Sequence, residues 1–410
     1  MSAGMARAPH TVAAAREAIC ASRRPLPAER VTLEAALGRT LAEPVVATRP
    51  QPPTRLSAMD GYALRRASLA HSAGLEVVGA SAAGRPYAGA LGAQQAVRIF
   101  TGAPVPEEAD CVVPQERAQR IEERVLIEAA YAATVTAGAN IRAAGVDYGT
   151  GAALIGAGTR LHARHLALIA SSGLDAVEVH RVPRVALVAT GDEIRAPGTP
   201  AGPYDMFDSV TPGLAGLIRE WGGAPQPALR AGDTEAALAE AVRTASAGAD
   251  VLVIAGGASV GEHDLSRRVL GTLGLELGIE RIAVRPGKPT WFGTWNEQPV
   301  LGLPGNPAAA FVCAQLFLRP LLGALLGRAS APPSLTARLE GSVPASGETE
   351  LYLRALLRTT PDAWLMVTPD PRQDTSLVSV YARANALIRR VAAAPAVSAG
   401  TLVEVLPLEQ

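Results

Sequence analysis

The apolar run V-L-V-I at residues 251–254 has no polar interruption, which predicts a strand buried on both faces of a parallel sheet. Comparable runs at 185–189, 281–284 and 300–303 each end in a polar turn rich in glycine or proline. Between them lie helix-periodic stretches at about 211–221 and 233–246, and a long apolar one from 307 to about 326. Strands alternating with helices over short connections predict a doubly wound α/β domain at 181–328.

The flanks have a different rhythm. Helices are predicted at 11–21 and 33–37, the second ended by Gly38, before a proline-rich extended crossing at 44–53. Short strand candidates at 75–80, 95–100, 111–114 and 125–128 predict a β-rich module, with T-G-A-P-V-P (101–106) as a rigid polar loop. Asp60-Gly61 is a turn signal, read as a surface hairpin. A glycine-rich loop at 140–151 carries Arg142 and Asp147. His162 and His165 lie one turn apart at a predicted helix over 163–171, and without a third ligand they read as a surface feature. Beyond 329, short strand candidates at 335–339, 351–357, 364–367, 387–390 and 402–405 predict a small β-rich domain.

A chain of 410 residues suggests several domains. Lys+Arg and Asp+Glu balance at 38 each, so no basic footprint for nucleic acid or an anionic membrane exists, and any anion site is local. Cys20, Cys111 and Cys313 are far apart with no C-x-x-C pair, which argues for a reducing compartment. No apolar leader opens the chain, and no stretch reads as a membrane span, so a cytoplasmic location is expected.

Candidate chemistry falls at four predicted strand ends, where ligands bind in open α/β sheets: T-G-D-E (190–193), residues 256–264, R-P-G-K-P (285–289) and P-G-N-P (304–307). Gly256 and Gly257 permit a tight turn, and Ser259 with Glu262 forms an S-x-x-E capping box that predicts a helix start near Val260. Free N–H groups there, with Arg285 and Lys288, suit a phosphate or another oxyanion. Glu193 and Asp264, with Asp233 as a cap of the next helix, suit Mg²⁺ beside it. There is no G-x-x-x-x-G-K-[ST] and no G-x-S-x-G, which disfavours a P-loop NTPase and an α/β-hydrolase.

The runs S-A-M-D-G-Y-A (57–63), F-T-G-A-P-V-P-E-E-A-D (100–110), T-G-D-E, G-G-A-S-V-G-E-H-D (256–264), R-P-G-K-P and L-P-G-N-P (303–307), in this order, resemble the molybdopterin molybdenumtransferases, a family that includes the E domain of gephyrin. The resemblance implies a multidomain α/β and β protein. Its parts would be a discontinuous elongated unit (1–50 plus 146–180), a β-rich unit (51–145), the α/β molybdopterin-binding domain (181–328) and a C-terminal β-barrel (329–410). It implies insertion of molybdate into adenylated molybdopterin, with Mg²⁺, and release of AMP. A homodimer is implied too, with the loop around Asp60 reaching the other subunit's crevice, as is a molybdoenzyme or cofactor-pathway protein as a further partner. By resemblance Asp60, Asp147, Glu193, Asp233 and Asp264 surround metal and substrate, with Glu193, Asp233 and Asp264 as metal ligands. Lys288 and Arg285 offset anionic charge. Gly256, Gly257, Ser259, Pro304, Gly305 and Asn306 shape the pocket, and Thr101 and Arg142 complete it.

The chain departs from the family pattern at Arg55-Leu56, Ser209-Val210, Ile254-Ala255, Arg285, Val146 and Gln373-Asp-Thr-Ser376. Several of these remove polar side chains, which motivates an alternative: a relative that binds a pterin or nucleotide as a scaffold or delivery partner without inserting metal.

Overall fold

A computed structural model describes residues 8–21, 23–70, 74–257, 264–328 and 333–408. Its centre is a seven-stranded sheet. Arg184–Thr190 pairs in parallel with Val251–Ala255, which pairs in parallel with Gln298–Leu303. Side chains of the apolar runs point alternately to opposite faces. Val185, Leu187, Val251 and Val253 join one core, whereas Ala186, Val188, Leu252 and Ile254 join another. Both faces are therefore dry, which is why these runs lack polar positions. Burying each valine, leucine or isoleucine contributes about 1.5–3 kcal/mol.

The sheet is not all parallel. Trp291–Trp295 and Glu276–Ile279 extend it as antiparallel strands, and neither was expected from the sequence. Gly293 interrupts the first, because a β-carbon there would come within 2.7 Å of the Glu276 carbonyl oxygen. The predicted strand before R-P-G-K-P is displaced as well. Val284–Arg285 leaves the α/β sheet and pairs with Glu350 and Leu351 of the C-terminal unit.

Helices cover both faces. Glu235–Ser246 and Leu265–Thr272 supply Leu238, Val242 and Val269 to one core. Val210–Glu220, the N-terminal Val12–Ala21 and the long helix Pro307–Leu325 pack on the other. Contrary to the sequence expectation, Pro307–Leu325 is long and apolar enough to span a membrane, yet 89% of its apolar window is buried inside the fold. It is a core helix. A π turn at Ala314–Leu318 lets it pass Pro320, which sits in the first turn of Arg319–Leu325 where its missing N–H matters least.

On the N-terminal side, Cys111–Pro114, Gly61–Leu64, Gln95–Ile99, Leu75–Ser81, Arg124–Ile127 and Ala118–Ile121 form one sheet in that order. The Asp60-Gly61 turn is not a hairpin. Leu56–Ser57 pairs with Ile141–Arg142 while Gly61–Leu64 pairs with strands of the other sheet, so Asp60 sits where the chain changes sheets. A separate unit pairs Ala28–Thr32 with Ala176–His180 and Val45–Val46 with Ala153–Ile155, around buried Leu41, Leu161, Ile169 and Val179.

The C-terminal unit is a closed five-stranded barrel. Glu350–Thr359 neighbours Leu365–Pro369, then come Leu335–Leu339, Leu402–Pro407 and Ala386–Arg390, which returns to Glu350–Thr359. Val284–Arg285 attaches to its outside, tying the barrel to the α/β domain.

Candidate functional site

A cleft of about 720 Å³ opens beyond the carboxyl ends of the parallel strands. Thr190, Asp233, Gly256 and Pro304 each bring one strand end to its wall. Three helices also begin there: Val210–Glu220 after Ser209, Leu265–Thr272 at Leu265, and Pro307–Leu325 after Asn306. Each turns the positive end of its dipole to the cleft, although Asp208 takes the Val210 and Thr211 N–H groups, Asp264 that of Arg267, and the Thr375 carbonyl oxygen that of Ala308. These dipole ends and the Gly256-Gly257 turn share the wall with the carboxylates Glu193, Asp208 and Asp233.

The loops touch. Gly256 has φ +93°, and a β-carbon on it would lie 2.5 Å from the Thr190 carbonyl oxygen. One on Gly305 would lie 3.4 Å from Gly256 Cα, and Gly257 has φ +62°. Asn306 Nδ2 donates to Thr375 Oγ1 at 2.9 Å, and Ala308 N donates to the Thr375 carbonyl oxygen at 3.0 Å. A barrel loop is thereby seated on the long helix, and Ser376 and Val378 become cleft walls.

Asp233 does not cap its helix. Thr234 does, accepting from Ala237 N. Asp233 is exposed in the cleft instead, where it accepts from Thr190 Oγ1 and from Asp192 N, both at 3.2 Å. Asp192 answers by accepting from Asp233 N at 2.9 Å, so two strand-end loops lock each other. Glu193 is exposed on the same wall.

Asp264 differs most from expectation. It is buried and caps the helix at Leu265 rather than near Val260, accepting from Arg267 N at 3.0 Å and Ser266 Oγ at 2.8 Å. Its other oxygen accepts from Arg267 Nε at 2.6 Å. Ser259 and Glu262, the predicted capping box, lie outside the described residues. Among the described residues no three His, Cys, Asp or Glu side chains converge as a metal site. Glu193, Asp233 and Asp264 thus do not form the expected cation cage: a metal at Asp264 would have to displace Arg267.

Asp208 went unnoticed in the sequence. Buried in the cleft wall, it accepts from Val210 N, Thr211 N and, at 2.9 Å, Arg230 Nη2. Its D-S-V-T setting is a helix-start signal that could have revealed it.

A second cavity of about 700 Å³ lies between Arg285-Pro286 and the barrel, lined also by Arg354, Gln373, Asp374 and Thr375. Arg354 is only 1% exposed. Its Nη2 donates to the Asp374 carbonyl oxygen at 3.0 Å, while its Nε is buried without a partner. Burial lowers its pKa, against the opposing pull of Asp370 and Asp374. Arg285 is exposed at this second cavity, not in the first cleft, and Lys288 is exposed next to Pro289 of the first cleft's wall. The departures from the family pattern have structural work. Gln373 Nε2 donates to the Arg354 carbonyl oxygen at 3.0 Å, and Arg55 donates to the Pro106, Glu107 and Ala109 carbonyl oxygens.

The remaining site residues gather elsewhere. Asp60 accepts from Thr101 N at 2.7 Å and Thr101 Oγ1 at 2.8 Å, bonds that hold its carboxyl below the usual range. Arg142 pairs in the ladder beside them, opposite Leu56, and Asp147 N donates to the Gln51 carbonyl oxygen at 3.0 Å. Asp60, Thr101, Arg142 and Asp147 belong to the N-terminal units, while the two cavities are lined from residue 189 onward.

Fold and cleft together define a class: a multidomain protein whose doubly wound domain opens a cleft at its strand ends, braced by β-rich units on either side. Residues 10–173 match the MoeA N-terminal region (domain I and II), 186–324 a probable molybdopterin binding domain, and 336–408 the MoeA C-terminal region (domain IV). A molybdopterin molybdenumtransferase of a Nostoc species is 37% identical over 79% of this chain and 76% of its own length. One from Bacillus subtilis is 31% identical over 98% and 95%. A solved molybdopterin biosynthesis protein from Pyrococcus horikoshii superposes with a TM-score of 0.84 at 29% identity, covering 98% of this chain and all of that one. The chain belongs to the molybdopterin molybdenumtransferase family.

Proposed function

We propose that this protein inserts molybdate into adenylated molybdopterin and releases AMP, a step of molybdenum-cofactor biosynthesis. The observation that carries this reading is the cleft where three helix N-termini and the Gly256-Gly257 turn meet at the strand ends. Such a site suits the phosphates that join pterin and adenylate. Gly256, Gly257, Pro304, Gly305 and Asn306 shape it, Ser259 follows the two adjacent glycines in the chain, and Asp233 and Glu193 stand at its wall as the available bases. The second cavity suits molybdate, since Arg354 offers a desolvated guanidinium and Arg285 a second positive charge. Thr375 lines the second cavity and Ser376 the first, so one loop separates oxyanion and pterin sites. Lys288 adds charge beside them.

The function calls for two copies. Asp60, Thr101, Arg142 and Asp147 form an N-terminal face that a second subunit would bring to this cleft. Light scattering is expected to give a dimer, and a stable monomer at working concentration defeats this part. With Asp264 committed to Arg267, Asp233 and Glu193 are the exposed cleft carboxylates that would hold Mg²⁺ beside substrate phosphates. The three free cysteines fit a reducing cytoplasm, and a molybdoenzyme or another cofactor-pathway protein would receive the product. The direct test supplies adenylated molybdopterin, Mg²⁺ and molybdate and measures AMP. Molybdate-dependent AMP release is expected, and its absence beside an active reference enzyme overturns the proposal.

A further inference from the structure

The R-P-G-K-P stretch links two sheets and borders both cavities. Val284–Arg285 pairs with the barrel, Trp291–Trp295 returns to the α/β sheet, and residues 286–290 cross between them. Arg285 and Pro286 line the second cavity, while Pro289 lines the first. Within the stretch, Pro286, Gly287 and Thr290 are buried, whereas Arg285 and Lys288 are exposed. Lys288 is the chain's single lysine beside 37 arginines, so no other side chain can present a compact ammonium. Where that ammonium and the Arg285 guanidinium stand depends on what holds the crossing from below.

Cys313 lies directly beneath. It is fully buried in the long helix, just before the π turn. A β-carbon on Gly287 would lie 2.1 Å from Cys313 Sγ, so the sulfur fills the space under that glycine, whose φ is +117°. Thr290 Oγ1 donates to Sγ at 3.1 Å, and Sγ donates to the Pro286 carbonyl oxygen at 3.8 Å. Thr290 N closes the turn on the Gly287 carbonyl oxygen at 2.9 Å. Burial, against the smaller pull of the Thr290 bond, pushes the thiol up to about 12, which keeps the proton that the bond to Pro286 uses. One sulfur thus meets all three inward residues of the crossing.

We propose that Cys313 is a positioning residue: by gripping the inward side of this crossing it sets Arg285 at the barrel cavity and Lys288 beside the cleft. It acts through those two charges, and the proposal rests on the function proposed above only for what they bind. Misplacing a binding group by about 1 Å from a distance can cost up to about a hundredfold in rate. A loosened anchor moves the groups less, so its first sign is weaker binding of the oxyanion that Arg285 faces.

Hydrogen–deuterium exchange and AMP-release kinetics on the full chain test it together. Cys313→Ala removes the sulfur and both its bonds, and should quicken exchange in the peptide 286–291 about tenfold. Half-saturation by molybdate should rise about fivefold while kcat stays within about twofold. Cys313→Ser keeps a donor and an acceptor and should recover most of both, and Thr290→Val, which loses one bond, should fall between. In an Arg285→Gln background Cys313→Ala should add little to the molybdate requirement, because it acts through that charge. Val312→Ala, a truncation of a buried neighbour in the same helix, should lower the urea midpoint and move neither readout. Unchanged exchange in Cys313→Ala overturns the proposal, whether or not the wild-type chain releases AMP. Quickened exchange with an unchanged molybdate requirement overturns it too, as does an equal shift in Val312→Ala, which would make Cys313 ordinary core. A wild-type chain that releases no AMP defeats the proposed function instead, and the exchange data then decide alone on the anchor.

Discussion

The two cavities differ in what lines them, and in the proposed reading they would receive anions by opposite means. The strand-end cleft would rely on the chain path, a glycine turn and three helix dipoles, with Asp233 and Glu193 on the same wall. The barrel cavity uses side chains, chiefly one buried guanidinium with an unfilled donor. Backbone donors survive most substitutions of their own residue but fail when the chain path shifts. A side-chain donor fails with a single mutation and leaves the fold standing. One site should therefore be brittle to shape, the other to charge.

The largest expected effect follows from shape. Gly256→Ala puts a β-carbon at positive φ within 2.5 Å of the Thr190 carbonyl oxygen. Left-handed strain and overpacking together should cost about 2–4 kcal/mol of stability by urea titration. AMP release should fall at least a hundredfold, and a near-normal rate would show that the turn does not shape the cleft. Arg354→Met tests the charge site. Loss of charge-assisted hydrogen bonds worth about 1.5–3 kcal/mol should raise the molybdate requirement by tenfold or more, with the affinity for adenylated molybdopterin held. A parallel loss of both affinities would erase the distinction between the cavities.

Asp264→Asn separates cap from chemistry. The structure gives Asp264 a structural task, so the substitution should lower stability by about 1–2 kcal/mol. Unchanged stability with abolished AMP release would restore it to the reacting groups. The smallest effect is expected outside both cavities, at Asp250. Burial alone would raise its carboxyl pKa, but the Arg181 fork and Arg184 N–H outweigh burial and hold it below the usual value. That contribution is present above the unfolded pKa near 3.8 and is lost as pH falls through the lower folded value. Asp250→Asn should thus flatten the decline of the urea midpoint below about pH 5, while leaving the two cavities' ligand affinities alone.

The sequence was most informative where one physical signal dominates. The run at Val251–Ala255 declares itself because both faces are covered, and Gly256 because only glycine tolerates that approach. Pairing across long separations was not legible. Arg285 looks like the end of an α/β strand until its partners, Glu350 and Leu351, are seen in the barrel. Arg354 sits in L-Y-L-R-A-L-L-R and reads as an outward position of an alternating strand, yet the strand's first six residues are buried without alternation. For Asp264 the sequence identified the residue but not its task, since the nearby Arg267 reads as an ordinary helix residue until its guanidinium is found on the carboxylate. The N-terminal carboxylates were legible by motif, whereas their separation from cavities lined from residue 189 onward depends on long-range packing that a motif does not carry.

The long apolar helix also has a consequence for how the molecule is made. Pro307–Leu325 would be at home in lipid, and in water it depends on a jacket that includes Val12–Ala21 from the opposite end of the chain. Synthesis places that first helix outside the ribosome long before its partner emerges, so the central domain cannot close until nearly four-fifths of the chain exists (325 of 410 residues). Nested truncated chains should therefore gain protease resistance in the strand Arg184–Thr190 abruptly, once residue 325 and the turn beyond it are included, rather than gradually with length.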